Sequence, residues 1–335
     1  MVARFAIPFF LLMGLVVVPL VVVLLCRWLL PRKVWRWGAF AGFLFVWCLV
    51  GYGFFVGYEQ LEIHHVEFAS SDLPPSFDGY RVVHFSDAHV GTMSGSRQWL
   101  LQRAVDSINA LRADAIVFTG DLQNIVPDEI DALILILSQL RAKDGVFCVL
   151  GNHDYAVYQT GSEAEKAANC QKTIDAERRA GWTVLLNEHR IIRRDTDSIV
   201  IAGMENWGKV KRMPRRGDVA QTLAGLTDQP SDNQHQPSPF IVMLQHDPTC
   251  WREHILPECR AQLTLSGHTH GGQFSVLGFS PVVFSYDECG GMYCEDARGL
   301  YVSTGLGALI PFRLGLPGEI VEITLKSKKD KRVRK

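Results

Sequence analysis

Five short apolar runs in this chain each end in a loop that carries Asp, Asn or His. They are Val82–Ser86 before Asp87-Ala88-His89, Ala115–Thr119 before Gly120-Asp121, Val146–Leu150 before Gly151-Asn152-His153-Asp154, Phe240–Leu244 before Gln245-His246-Asp247, and Leu263–Ser266 before Gly267-His268-Thr269-His270. Short apolar runs bounded by chain breakers are typical of buried strands. In open α/β sheets ligands bind at the carboxyl ends of the strands. One polar strand end is common, whereas five predict a shared site.

Helical periodicity lies between these runs. Leu101, Val105, Ile108 and Leu111 follow one another at spacings of four, three and three residues, and Ser96 can cap this helix. A second helix is predicted from Pro127 to Leu140 and a third from 162 to 180, and further strands at 183–186, 199–202, 300–303 and 319–325. Strands that alternate with helices predict a layered α/β domain.

The first 57 residues have no Asp or Glu. They hold two uninterrupted apolar runs, Phe5–Cys26 with 22 residues and Gly38–Tyr58 with 21. Because about 20 apolar residues in a helix cross the hydrocarbon core, residues 1–58 are predicted to form a two-helix transmembrane hairpin. A cleaved signal peptide is the alternative for the first run, disfavoured by its length and weakly charged start.

The charges around the two apolar runs predict their orientation. The 11-residue connection Arg27–Trp37 carries four basic residues and no acid, whereas Glu59, Glu62 and Glu67 follow the second run. The positive-inside rule places that connection in the cytoplasm. The protein is therefore expected to be a multi-pass protein of the cell (inner) membrane with its large domain outside the cytoplasm. The rule is statistical, so the opposite orientation stays open.

Proline-marked residues 72–76 suggest that 59–79 is a linker before a domain at 80–325. Residues 58–335 carry 29 basic and 35 acidic residues, a balance that argues against a nucleic-acid partner. The basic tail, 326–335, contains seven Lys or Arg. It is either a solvated end or a contact with membrane lipids through their anionic headgroups.

The strand-end residues suit metal binding. Carboxylate, amide and imidazole ligands are those that Mn, Fe or Zn takes, and the motifs offer no thiolate. More than four ligands, with a carboxylate able to bridge, fit a two-metal hydrolytic site better than a single zinc.

In this order the blocks Asp-x-His, Gly-Asp, Gly-Asn-His-Asp, a lone His and Gly-His-x-His resemble the calcineurin-like metallophosphoesterases, over roughly residues 80–325. The stretches Ser266–Gln273 and Tyr301–Gly307 are similar to the membrane-associated bacterial branch of that family. The resemblance implies a two-sheet α/β sandwich of the metallophosphoesterase type. It also implies two divalent metal ions as cofactors.

The resemblance also implies a role for each strand-end residue. Ligands of the first ion would be Asp87, His89 and His270, those of the second Asn152, His246 and His268, with Asp121 bridging both. A hydroxide held between the ions would attack the phosphate, and His153 would face the leaving oxygen. Asp154 would orient His153, or else cap the loop.

These roles imply a membrane-anchored phosphohydrolase that cleaves a phosphodiester or pyrophosphate bond in a cell-envelope or lipid-linked substrate. A nucleotide-sugar lipid pyrophosphatase and a broader phosphodiesterase both stay open, as does the oligomeric state. The alternative is a non-catalytic, membrane-anchored metal-binding module. Arg313 is the best lone candidate for a phosphate contact, with an ordinary surface arginine as the other interpretation. His84 is expected to be a packed histidine and Asp247 a turn residue.

Overall fold

Two six-stranded sheets form the domain, as the computed structural model shows for residues 17–29, 31, 34–226 and 239–328. The strands are β1 Leu61–Ser70, β2 Arg81–Phe85, β3 Ala115–Phe118, β4 Val146–Cys148, β5 Thr183–Val184, β6 Glu188–Arg194, β7 Asp197–Gly203, β8 Phe240–Leu244, β9 Leu263–Ser266, β10 Gly291–Glu295, β11 Arg298–Val302 and β12 Gly318–Ser327. The α-helices are α1 Val18–Leu29, α2 Trp35–Phe55, α3 Gln98–Ala110, α4 Asp128–Asp131, α5 Ile134–Leu137, α6 Glu163–Arg179, α7 Val219–Thr222 and α8 Leu256–Glu258. The predicted α/β fold class is confirmed.

The two sheets have similar plans. The first has the order β1-β12-β2-β3-β4-β5, in which β2 to β5 are parallel and β12 runs antiparallel to β2. The second has the order β10-β11-β9-β8-β7-β6, with parallel central strands and antiparallel β10 and β6 at its two edges. The strands β2, β3, β4, β8 and β9, which precede the five polar loops, are therefore all in parallel central positions.

Alternating side chains divide the core into layers. Val117 of β3 packs with Ile201 and Val242 of the other sheet, while Ile116 and Phe118 point to the helices on the outer face. Successive strand residues point to opposite faces, and both faces of these strands are covered, which is why they read as continuous apolar runs.

The predicted linker 59–79 is wrong at residues Leu61–Ser70. Residues Leu61–Ser70 form β1, which pairs in parallel with Gly318–Ser327 along the edge of the first sheet. Most of β1 is exposed or half-buried, with only Phe68 and Ser70 buried, so the strand lacks the apolar signal of the central ones. The predicted helix from Pro127 to Leu140 also differs, because it breaks at Leu133 into α4 and α5.

Among the described residues, one helix is long and apolar enough to cross a membrane: the span Trp37–Glu59 has 23 residues and a mean hydropathy of 2.0. The other described apolar helix, α1, has 12 residues, which at 1.5 Å per residue rise only about 18 Å. Much of the predicted run Phe5–Cys26 lies outside the described residues, as do 329–335 of the basic tail. The first arm of the hairpin therefore stays a prediction.

The carboxyl end of α2 packs directly on the domain. The Arg313 backbone N–H donates to the Gly53 carbonyl at 3.1 Å, and the rings of Phe54 and Phe312 lie 5.1 Å apart. Just beyond the helix, the Tyr58 hydroxyl lies 2.7 Å from the Thr92 hydroxyl. The apolar helix is thus fixed close to the loop that follows β2.

Candidate metal centre

The five polar loops meet where the two sheets present their strand ends. The Asp87 N–H donates to Gly120 O at 2.9 Å, and the Gly267 N–H donates to His246 O at 3.0 Å. The sheets are joined at this point because His246 Nδ1 lies 2.7 Å from the Thr119 carbonyl. The parallel strand ends therefore bring together residues that are up to 183 positions apart, from Asp87 to His270.

The backbone of these loops is unusual. Five of the seven predicted ligands have positive φ angles, a region that non-glycine residues seldom occupy: Asp87 at 51°, His89 at 41°, Asp121 at 61°, His268 at 73° and His270 at 54°. Each such residue costs about 1–3 kcal/mol, and such outliers concentrate at functional sites. Their concentration in these loops marks the loops as a candidate functional site.

One group of side chains contains Asp87, His89 and His270. The Nε2 atoms of His89 and His270 are 3.0 Å apart, and His270 Nε2 is 3.3 Å from Asp87 Oδ1. One potential ligand atom from each of the three residues lies within 4.8 Å of the others. These are the residues predicted to hold the first ion.

A second group lies beside it and contains Asp121, His246 and His268. His246 Nε2 is 3.3 Å from Asp121 Oδ2, 3.2 Å from Asn152 Oδ1 and 3.2 Å from His268 Nδ1. These four atoms belong to the residues predicted to hold the second ion, including the bridging carboxylate.

Asp121 lies between the two groups. Its Oδ2 is 3.3 Å from His246 Nε2 and 3.8 Å from His89 Nε2, so one oxygen is close to both. A β-carbon on Gly151 would come within 2.2 Å of Asp121 Oδ1, which explains the glycine at that position. The position fits the predicted bridging role.

The donor set fits divalent cations. His246 Nδ1 is bonded to the Thr119 carbonyl, so in the neutral ring Nδ1 carries the proton and Nε2 has a lone pair. That lone pair faces a carboxylate oxygen of Asp121, the amide oxygen of Asn152 and a ring nitrogen of His268. A single proton cannot form hydrogen bonds to all of these acceptors, whereas a metal ion can bind them together. His89 Nδ1 and His270 Nδ1 are also buried, with no hydrogen-bond partner among the described residues. Mn, Fe and Zn suit such ligands, and the choice among them stays a prediction.

Most of the histidines are held in the neutral form that binds metal. Burial, and next the neighbouring His153, lower the pKa of His89 to about 3, and burial likewise lowers the pKa of His268 and His270. Burial alone would lower the pKa of His246, but Asp121 outweighs it and raises the pKa to about 10. The negative charge of Asp121 that favours protonated His246 would attract a divalent cation in the same way.

His153 lies beside both groups. Its Nδ1 is 2.6 Å from the Asn124 carbonyl, and its ring packs edge-on against His89 with the ring centres 4.7 Å apart. The backbone N–H of His153 donates to Asp121 Oδ1 at 2.8 Å. One His153 ring nitrogen lies within 4.8 Å of potential ligand atoms of His89 and Asp121. The ring therefore lies beside the predicted ligands, and its role as a non-ligand that faces the leaving oxygen stays a prediction.

The predicted orienting role of Asp154 is wrong in this geometry. Its carboxylate accepts hydrogen bonds from four backbone N–H groups, of Gly151, Asp121, Leu122 and Gln123, at 2.7–3.3 Å. The Asn124 carbonyl orients the imidazole of His153 instead. The hydrogen bonds match the alternative, a carboxylate that caps the loop and ties it to the Asp121 loop.

Arg313 matches neither interpretation made from the sequence. It is fully buried, and its guanidinium donates to the carbonyls of Thr304, Gly305, Gly307, Leu316 and Pro317. It therefore braces the loop beside Asp87 and does not reach substrate. His84 is buried and bonded to Thr119, as expected of a packed histidine. Asp247 Oδ1 accepts from Thr249, as a turn residue would, while its Oδ2 lies 3.6 Å from His268 Nε2.

Other residues at the centre belong to none of the motifs recognised in the sequence. The Tyr286 hydroxyl lies 2.8 Å from His268 Nε2, and the Tyr158 hydroxyl 3.2 Å from Asn152 Nδ2. Thr119 and Asn124 contribute backbone carbonyls, which any residue type can supply, so no sequence signal marks them.

Strained loops at the ends of parallel strands, with two adjoining groups of carboxylate and imidazole ligands, form a candidate centre for divalent metal ions. The chain matches the calcineurin-like phosphoesterase family over residues 80–272. It is 32% identical over 292 residues to the uncharacterized metallophosphoesterase YkuE of Bacillus subtilis, covering 83% of this chain and 90% of that one. It is 29% identical to the Danio rerio "Transmembrane protein with metallophosphoesterase domain", covering 83% of this chain but 60% of that protein.

A crystal structure of a dimetal phosphatase from Danio rerio aligns at a TM-score of 0.39 and 13% identity, covering 70% of this chain and 89% of that one. The match over residues 80–272 and the similarity to YkuE show that this chain belongs to the calcineurin-like phosphoesterase family. It is a metal-dependent phosphoesterase, and the metallophosphoesterase fold predicted from its sequence is confirmed.

Proposed function

We propose that this protein is anchored in a membrane and hydrolyses a phosphodiester or pyrophosphate bond with two divalent ions. The observation that carries this proposal is the pair of adjoining ligand groups that share Asp121. Asp87, His89 and His270 would hold one ion and Asn152, His246 and His268 the other. When bound, two such ions lower the pKa of a water molecule and offset negative charge on the phosphate.

The residues around the ligands define what the chain itself contributes. The Asn124 carbonyl fixes one nitrogen of the His153 ring, which leaves the other to exchange a proton with the leaving oxygen. Asp154 holds the loop of His153 against the loop of Asp121 through three backbone hydrogen bonds, from the N–H groups of Asp121, Leu122 and Gln123. The side chains of His153 and Asp154 are both buried, and exclusion of water strengthens their electrostatic effect on a bound phosphate.

The membrane anchor points to the substrate class. A helix able to cross a membrane ends against Phe312 and Arg313, next to the loops of the metal centre. A phosphoesterase fixed at that position gains access to phosphate esters in the membrane surface. We therefore assign it a lipid-linked or cell-envelope substrate, with the large domain outside the cytoplasm as the basic residues Arg27–Trp37 indicate.

Hydrolysis of bis-p-nitrophenyl phosphate by the detergent-solubilised full chain tests the reaction. We expect activity with added manganese, loss of activity with a chelator, and strong loss in Asp121→Asn. The matched control is His65→Gln, because His65 is an exposed histidine of β1 that contacts Glu322. A metal-loaded protein that cleaves neither this ester nor pyrophosphate would favour the non-catalytic alternative.

A further inference from the structure

An apolar loop emerges directly from the metal centre. Between the turn His270–Gln273 and Tyr286, the segment Val276–Phe284 leaves large apolar side chains exposed; we call it the apolar loop. They are Val276, Leu277, Phe279, Val283 and Phe284, with Leu277 fully exposed and Phe284 82% exposed. The segment from Phe274 to Tyr286 contains no charged residue. An exposed apolar patch of this kind marks an interaction surface.

The apolar loop has a defined shape. The backbones of Val276 and Phe279 exchange two hydrogen bonds, of 2.9 and 3.0 Å, and the rings of Phe279 and Phe284 pack 5.9 Å apart. Ser280 Oγ donates to the Gly271 carbonyl at 2.6 Å, which ties the middle of the loop to the ligand-bearing turn. These bonds hold the apolar side chains outward, although burying them would be favourable.

The apolar loop begins next to the end of the apolar helix α2. The Ser275 N–H donates to the Leu314 carbonyl at 2.7 Å, and Gln273 Nε2 donates to the Phe312 carbonyl at 2.8 Å. Phe312 and Arg313 are the same residues that contact Phe54 and Gly53 of α2. Leu277 is two residues beyond Ser275, at most about 7 Å of chain. The short segment Phe312–Leu314 therefore contacts both α2 and the residues that begin the apolar loop.

We propose that the apolar loop inserts into the lipid surface beside α2, an inference that rests on the membrane anchoring proposed above. The helix fixes the domain where lipid begins, and the loop presents uncharged, apolar side chains within reach of that boundary. Aromatic and aliphatic side chains on such an element enter the boundary between headgroups and acyl chains.

This placement defines how substrate reaches the metal centre. The apolar loop starts after His270 and ends before Tyr286, whose hydroxyl lies 2.8 Å from His268 Nε2. The segment is thus tied to the ligand-bearing turn at Ser280 and to a ligand at Tyr286, while the exposed side chains of Leu277 and Phe284 are in lipid. A phosphate ester that carries a lipid tail would lie with its tail along the loop and its phosphate at the metal centre.

Photocrosslinking of the full chain in phosphatidylethanolamine–phosphatidylglycerol vesicles tests the lipid contact. A benzophenone amino acid is placed at Leu277, at Ile191 on the far edge of the second sheet, or at Phe45 in α2. We expect lipid adducts at positions 277 and 45 and none at 191. Absence of an adduct at 277, or a crosslink from 277 to a second protein chain, overturns the inference. Lipid adducts at position 45 but not at position 277 would overturn the lipid contact of the apolar loop and would still support the membrane anchor.

Two esters with one leaving group test the consequence for catalysis. The vesicles contain a hexadecyl p-nitrophenyl phosphodiester, and bis-p-nitrophenyl phosphate serves as the soluble ester. We expect the double variant Leu277→Asp/Phe284→Asp to lose at least about tenfold in rate on the lipid ester, because it no longer enters the surface. Its rate on the soluble ester should stay within about twofold, as should both rates of Ile191→Asp.

Equal losses on both esters would overturn the role of the apolar loop while leaving the phosphoesterase activity intact. A wild-type protein that cleaves the soluble ester but not the lipid ester would overturn the lipid presentation alone. Failure on both esters would instead count against the proposed function.

Discussion

Tyr58 and Thr92 connect the apolar helix to the metal centre. Their hydroxyl oxygens are 2.7 Å apart, and the Thr92 hydroxyl donates to the His89 carbonyl at 2.8 Å. Since the Thr92 proton is used in that bond, Tyr58 is the donor to Thr92. Tyr58, three residues beyond the end of α2, thus supports through Thr92 the backbone of His89, a predicted ligand whose φ angle is 41°.

We predict that Thr92→Val weakens metal binding at the first site, because His89 loses a bond that holds its strained backbone. Removing support of this kind from a ligand costs about tenfold in affinity. Titration of manganese into the metal-free protein measures the loss. Thr92→Ser keeps the hydroxyl and should bind like the wild type, and a similar loss in the serine and valine variants would contradict the role of the hydroxyl.

We predict two divalent ions per chain, and a larger loss of metal in Asp121→Asn than in His89→Ala. The reason is that Asp121 Oδ2 lies close to histidines of both groups. Elemental analysis after manganese loading counts the ions. A single tightly bound zinc, with no second site on titration, would show the two-metal assignment to be wrong.

His153→Ala should keep both ions and lose about 10²–10⁴ in turnover, the usual contribution of general acid–base catalysis. The loss should shrink for a p-nitrophenyl leaving group, which departs without a proton, and stay large for an alkyl leaving group. Rates on the two esters, with metal content measured in parallel, check this. Equal losses would favour charge stabilisation, and loss of an ion would make His153 a ligand.

We predict a pH-dependent stability from His64 on β1. Its Nδ1 lies 3.1 Å from the buried Glu319 carboxylate, and hydrogen bonding to that carboxylate raises the pKa of His64 from 6.5 to about 9. Because the folded pKa is the higher one, the stabilisation is complete below about pH 6.5 and is lost as the pH rises through about 9.

Thermal unfolding of the wild type and of His64→Gln, followed over this range, measures that contribution. The difference between their midpoints should be largest at the acidic end and vanish at the alkaline end. A difference that is constant with pH would mean that His64 stabilises the sheet without its charge. His65→Gln, one residue along β1, is the matched control.

The large domain is predicted to lie outside the cytoplasm, because four basic residues occupy Arg27–Trp37 and acids follow the helix. A reporter fused after Lys335 checks this in cells. Alkaline phosphatase should be active there, and a reporter that works only in the cytoplasm should not. The reverse pattern would assign the domain to the cytoplasmic side.

The central strands were predictable because both their faces are buried. Phe240–Leu244 and Leu263–Ser266 match the predicted runs at both ends. The edge strands β1, β6 and β10 were missed, since half-exposed strands carry charges such as those of Glu188–Arg194 and lose the apolar signal.

The site was predictable where side chains act and unpredictable where the backbone acts. Asp87 and His270 stand in recognisable blocks, and the structure places them 3.3 Å apart. The orientation of His153 depends instead on the carbonyl of Asn124, a contact set by loop geometry. Arg313 was misread for a related reason: its carbonyl partners come from a loop whose path no residue pattern reveals.

The ten-residue pairing of β1 with β12 has a consequence for how this enzyme searches for substrate. A strand within a sheet does not swing as a flexible tether does, so in the proposed membrane-anchored protein the domain would have one height and one tilt above the bilayer. A force on the helix along β1 would be shared by all the backbone hydrogen bonds between β1 and β12. Encounter would then depend on lateral diffusion within the plane of the membrane, with the third dimension removed from the search.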